Sequence, residues 1–270
     1  MVAPSNGWVD PQLALPLLET VEELDAEATG AFMVGQQRQS SGIVCVQAGA
    51  ICWAVSEAMR GRLTDLLIEG GGPNVTRASV EAIYQDCRTQ GVPLGERLVA
   101  AGVVSAEGLR AALARHSCEA LASLGRAASL PVSWVPHQRA SYDAQFTFRP
   151  AEVFVGLAAI QRPELRERAE RALAEHLPPG GRGVAFVHEG GGNPIAGVGH
   201  GALSVRALHE LGRFVADVLG IAGALDSDAR AMSLATGHGS VVAWLDGELY
   251  YAALCDNYFQ RAHVLGKRSR

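Results

Sequence analysis

The stretch Ser240–Leu254, SVVAWLDGELYYAAL, decides the fold. Two runs rich in β-favouring residues, Ser240–Leu245 and Glu248–Leu254, flank Asp246-Gly247. Asp-Gly between such runs marks a tight hairpin, because its central residues must accept positive φ. Working outward, Ala231–Ala235 reads as a third strand. Ahead of it, Ser204 caps a helix through about Val218, with Leu208, Leu211, Val215 and Val218 on one face. Gly183–Glu189 (GVAFVHE) and Asn193–Gly199 (NPIAGVG) are strands around a Gly190-Gly191-Gly192 turn. Glu164–His176 is a charged amphipathic helix whose apolar stripe is Leu165, Ala169 and Leu173, continued by Leu177. After the hairpin, Asp256–Gly266 is a short polar helix. The last third therefore reads αββαβββα.

That order, the Asp246-Gly247 hairpin and the terminal Leu265-Gly266-Lys267 resemble the Roadblock family over residues 162–270. The resemblance implies a module that dimerises or that binds and regulates small Ras-like GTPases. Its GTPase-activating members are implied to act by rearranging the GTPase's own residues, so no arginine finger is required here. A sheet of this kind presents an unpaired edge, which tends to find a partner. The helix from Ser204 carries apolar residues on more than one side, with Leu208, Leu211 and Val215 on one and Val205 and Phe214 nearer another. A homodimer through this helix and Ala231–Ala235 is expected, with Val205, Leu208, Leu211, Phe214, Val215, Met232 and Leu234 as candidate interface residues. The alternative is that the N-terminal half covers the same surface within one chain.

The first half alternates differently. Residues 11–24 read as a short helix, Thr29–Gln36, Gly42–Gln47 and Ala50–Ser56 as strands, and residues 60–69, 76–90, 93–102 and 105–125 as helices. Gly102 stops one helix and Ser105 caps the next. Pro131–Pro136 and Ala144–Phe148 read as short strands, and Pro150–Ile160 as an apolar closing helix. Three pieces resemble the PATAN domain of certain bacterial response regulators: the hairpin SSGIVCVQAGAICWA (Ser40–Ala54), the segment PLGERLVAAGVVSAEGLRAAL (Pro93–Leu113), and AQFTF (Ala144–Phe148) with the helix after it. Ala48 stands where a polar turn residue is usual, and Ala144 where Gly is common. The resemblance implies a protein-interaction module that recruits a second signalling protein. The Gln161-Arg162-Pro163 bend is the expected junction, dividing the chain into residues 1–161 and 162–270. The fold class is α+β: a small strand unit with a helical insert, then an αββαβββα sheet with helices.

Composition narrows the function. At 48% hydrophobic and 19% charged the 270-residue chain is globular, and a net charge of −5 offers no electrostatic case for nucleic acid or an anionic membrane. Neither a signal peptide nor a bilayer-length apolar run is visible, and Cys45, Cys52, Cys87, Cys118 and Cys255, without any CxxC, read as reduced core thiols of a cytoplasmic protein. The basic end Lys267-Arg268-Ser269-Arg270 reads as a solvated terminus. Gly197-Val198-Gly199-His200-Gly201 precedes a helix, as phosphate-binding loops do, but lacks the third glycine of GxGxxG; a small-molecule or nucleotide sensor at Gly197–Gly201 is the alternative reading. Gly237-His238-Gly239-Ser240 has the wrong order for a nucleophile elbow. His116 and Cys118 point in different directions on a helix, so they are poor co-ligands for a metal. No catalytic, metal or cofactor residue is therefore assigned, and a non-enzymatic bacterial signalling adaptor is the expected function.

Overall fold

A computed structural model describes residues 10–36, 39–59, 61–70, 75–90, 94–126, 132–137, 142–188, 192–225, 231–237 and 239–268. Among the expected features, Pro93, Pro131, Glu189, Gly190, Gly191, His238, Ser269 and Arg270 lie outside the described residues. In chain order the elements are α1 (Leu15–Glu22), β1 (Gly30–Gln36), β2 (Gln39–Gln47), β3 (Ala50–Ser56), α2 (Leu63–Gly70), α3 (Arg77–Gln90), α4 (Leu94–Ala100), α5 (Ala106–Gly125), β4 (Val132–Pro136), α6 (Pro150–Ala159), α7 (Pro163–His176), β5 (Arg182–Val187), β6 (Asn193–Val198), α8 (Val205–Leu225), β7 (Ala231–Thr236), β8 (Gly239–Asp246), β9 (Leu249–Cys255) and α9 (Tyr258–Arg268). The protein is α+β, with two antiparallel sheets.

The chain does not divide at 161/162. One unit is Leu24–Phe148; the other joins the residues up to Glu23 to those from Arg149 onward. The first unit is thus an insertion in the chain of the second. Two pieces of packing move the boundary. Eight of the ten residues of α6 are buried, and it packs on β6, α8 and α1. Ala158 and Ala159 of α6 share a core with Leu165 of α7, so the Gln161-Arg162-Pro163 bend is an internal corner, with Pro163 in the first turn of α7. In α1, Leu18 and Val21 are fully buried, and the Glu22 carboxylate accepts the Val205 N–H at 2.9 Å, capping α8 across the sequence.

In residues 24–148 the strand order is β3-β2-β1-β4. The β2–β3 turn has positive φ at both Ala48 (50°) and Gly49 (70°), the geometry of a type I′ hairpin. Ala48 is the only non-glycine residue with positive φ among the described residues, and Thr29 Oγ1 accepts its N–H at 3.3 Å. The helices α2–α5 enclose their own apolar cluster, including Leu67, Val80, Leu98 and Leu109. Gly102 (φ 65°) ends α4 with Val103 N–H bonded to Leu98 O, and Ser105 Oγ accepts from Gly108 N at 3.0 Å to begin α5. Ala144–Phe148 is not a strand. The Asp143 side chain accepts from Gln145 N, which winds Ala144–Phe146 into a 3-10 turn, and Phe148 alone bridges to Ile51.

In the other unit the sheet order is β6-β5-β9-β8-β7. Alternation gives it two covered faces. Ala185, Val187, Val242, Trp244, Leu249, Tyr251 and Ala253 meet α7 and α9; the cross-strand pair Trp244–Tyr251 is fully buried, with rings stacked at 5.0 Å. The opposite face, with Phe186 beside Gly212, meets α8. The β8–β9 turn has positive φ only at Gly247 (62°), the first of its two central residues, Gly247 and Glu248. That is the type II′ pattern, one residue along from an Asp-Gly type I′ turn. Arg168 of α7 donates to Asp246 O at 3.0 Å, and a Cβ on Gly247 would lie 2.8 Å from its guanidinium. Gly247→Val is therefore expected to lose about 1–3 kcal/mol from backbone strain, before any displacement of Arg168. An unchanged midpoint in urea would refute that turn geometry.

Candidate interaction surface

The helix α8 has 21 residues and runs past the expected end at Val218, through Gly220 and Gly223. Its start is doubly capped: Ser204 Oγ accepts from Ala207 N at 3.0 Å beside the Glu22 carboxylate on Val205 N. Its length follows from burial. Val205, Leu208, Gly212, Val215, Leu219 and Ala222 are all buried, at a 3-4-3-4-3 spacing that keeps one stripe on the sheet for about five turns. That continuous stripe outweighs the low helix propensity of glycine.

A second apolar stripe runs beside the first. Leu211, Phe214, Val218 and Ile221 follow a 3-4-3 spacing; Leu211 and Val218 are half-buried, while Phe214 is 37% and Ile221 59% exposed. At about 100° per residue, Val205 and Phe214 lie on opposite sides of the helix and cannot share a face. The seven residues singled out from sequence therefore separate. Val205, Leu208 and Val215 are fully buried in the chain's own core and are not available to a partner. Leu211 and Met232 are half-buried, and Phe214 and Leu234 are exposed. Ile221 is missing from that set because the helix is expected to end near Val218; continuing the 211, 214, 218 spacing would have found it.

Met232 and Leu234 pair with Ala243 and Val241, which puts them on the sheet face that α8 covers. The strand β7 is the last in its sheet and pairs only with β8 among the described residues. Its outer backbone groups thus form an unpaired edge, and the helix packed on it carries an exposed apolar stripe.

The Gly197–Gly201 loop is lined by the chain's own side chains. A Cβ on Gly197 would lie 2.6 Å from the His200 ring, and one on Gly199 2.8 Å from Arg182. Arg149 donates to Gly201 O, and Arg182 pairs with Asp256. Burial pushes the His200 imidazole below its ordinary value, against the opposing effects of a Gly197 backbone bond and Glu152. These contacts all come from the loop's own unit. All five cysteines are free, four of them buried and Cys45 half-buried, and burial pushes Cys52 up to about 12, with the neighbouring Cys45 adding to the shift. No helix among the described residues is long and apolar enough to cross a membrane. No protein-family model matches the chain, and no curated protein matches it.

Proposed function

We propose that the chain is a cytoplasmic, non-enzymatic bacterial signalling adaptor. The αββαβββα unit serves as a homodimer or GTPase-docking module, and residues 24–148 recruit a second signalling protein. The observation that carries this reading is the unpaired β7 edge next to a helix whose outer stripe, Leu211, Phe214, Val218 and Ile221, is apolar and partly open to water. An exposed edge beside apolar surface favours association, and a two-fold axis would set β7 and α8 of one copy against β7 and α8 of the other. The Roadblock resemblance supports the same assignment and adds small Ras-like GTPases as the partner class.

Sedimentation of the full chain tests it. A dimer is expected at tens of micromolar. Ile221→Asp and Phe214→Asp change exposed side chains and should leave the melting temperature nearly unchanged. A carboxylate desolvated in a dimer interface costs several kcal/mol, so each variant should weaken dimerisation by roughly 100-fold or more. If the unaltered chain is monomeric, or if both variants remain dimeric, this surface is not the interface.

A further inference from the structure

Residues 24–148 enclose an open-mouthed cavity of about 370 Å³ where β3, α2, α4 and α5 converge. That is within the size range of small-molecule sites. Its aliphatic lining is Leu63 of α2, Leu94 of α4, and Leu109 and Leu113 of α5. Its aromatic lining residues are Trp53, Tyr142 and Phe146. Two charged residues, Glu96 and Asp143, line the cavity among the described residues, and both are carboxylates.

These groups are held in place. One face of Trp53 is taken by the His116 ring, stacked with centroids 4.3 Å apart and an interplanar angle of 20°. His116 is only 4% exposed, and burial pushes its imidazole down despite Glu119 nearby and a bond to the Ala54 backbone, which disfavours a positive charge behind the indole. Gln47 clamps Tyr142 from both sides of its amide: Nε2 donates to Tyr142 O at 2.7 Å, and Oε1 accepts from Tyr142 N at 3.0 Å. The Asp143 carboxylate is oriented by Gln145, through its backbone N–H at 3.0 Å and its side-chain amide at 2.7 Å. Gly95 lets α4 approach α5, since a Cβ there would lie 2.9 Å from Leu109.

We infer that this cavity binds a small organic cation, an ammonium joined to an apolar body about the size of one ring. The aliphatic lining takes the apolar part, which gains by leaving water. The aromatic side chains lining it can attract the cationic head through their quadrupoles, and the two carboxylates add Coulomb attraction. The same carboxylates repel phosphates, nucleotides and organic acids, so the class of ligand is set by charge as well as by size.

Calorimetric titration of the full chain tests the inference with benzyltrimethylammonium, benzyl alcohol and benzoate as probes. The cation is expected to bind at least about five-fold more tightly than the neutral alcohol, and benzoate more weakly than either. Glu96→Gln changes an exposed residue on the first turn of α4. It should weaken the cation by about three- to five-fold while leaving benzyl alcohol unchanged. Trp53→Phe, which keeps an apolar ring at the site with a weaker quadrupole, should narrow the gap between the cation and the alcohol. Three results would overturn the inference: equal binding of the three probes, cation binding indifferent to Glu96→Gln, or no heat from the cation up to about 10 mM.

Discussion

Residues 162–270 expressed alone are expected not to fold, whereas residues 1–23 joined by a flexible Gly/Ser linker to residues 149–270 should melt cooperatively. The shorter fragment holds all five strands of its sheet but neither α1 nor α6. Those helices contribute Leu18, Val21, Val153, Phe154, Val155 and Leu157, each 9% exposed or less. Full burial of six such side chains is worth on the order of 10 kcal/mol. The net stability of a domain is about 5–15 kcal/mol, so their loss removes most or all of it. The truncation also strips the Glu22 carboxylate from the Val205 N–H. Near-ultraviolet dichroism and thermal melts read the outcome. A sharp, reversible transition in the 162–270 fragment would show that α1 and α6 are accessories to the unit.

That boundary was hard to read in the sequence for a physical reason. A helix announces its partner through the contrast between its faces, and α6 (PAEVFVGLAA) is apolar nearly all round. Nothing in its own residues says which core it enters; only β6, α8 and α1 do, at sequence distances local patterns do not span. The αββαβββα order was legible because each piece is local: a 3.6-residue stripe in α7, alternation in β8 and β9, and glycine at the turn. Local rules also misled where two of them competed. Ala144–Phe148 alternates as a strand does, but the Asp143 carboxylate captures the Gln145 N–H and the chain winds into a 3-10 turn. Glycine was read in the right place but with the wrong partner at the hairpin, where Gly247 alone carries the positive φ expected of the whole Asp-Gly pair. For the interaction surface, apolar character alone did not separate side chains facing the chain's own sheet from those facing water. Angular position around α8 did, and it required knowing how far the helix runs.

The same substitution at two glycines of α8 is expected to have opposite effects. Gly212 is buried against Gly192 and Phe186; an added Cβ would fall 2.1 Å from Gly192 O and 2.8 Å from the Phe186 ring. The first contact is with backbone, which has no rotamer to turn away. Gly192 itself sits at φ 85°, directly before β6, so relief by moving that residue would disturb the strand it begins. Hence α8 must lift from the sheet. Leu208 and Val215, the fully buried residues flanking Gly212 on the inward stripe, lose contact first. Overpacking of this kind costs about 3 kcal/mol, at the upper end of its usual range and larger than the propensity gained by replacing glycine in a helix. For a unit of this size that is roughly a 6–12 °C fall in melting temperature. Gly220 lies on the same helix with nothing within 4 Å of an added Cβ. There only the backbone entropy changes, and Gly220→Ala should stabilise by about 0.5–1 kcal/mol. Melting curves of the two single variants decide the matter. If Gly212→Ala is neutral or stabilising, α8 does not approach the sheet through this glycine, and the inward stripe that assigns Leu211, Phe214, Val218 and Ile221 to the outer face is wrong. If Gly212→Ala falls and Gly220→Ala rises, the rotation of α8 about its axis is established by measurement, and with it which side chains of the helix are left for a partner.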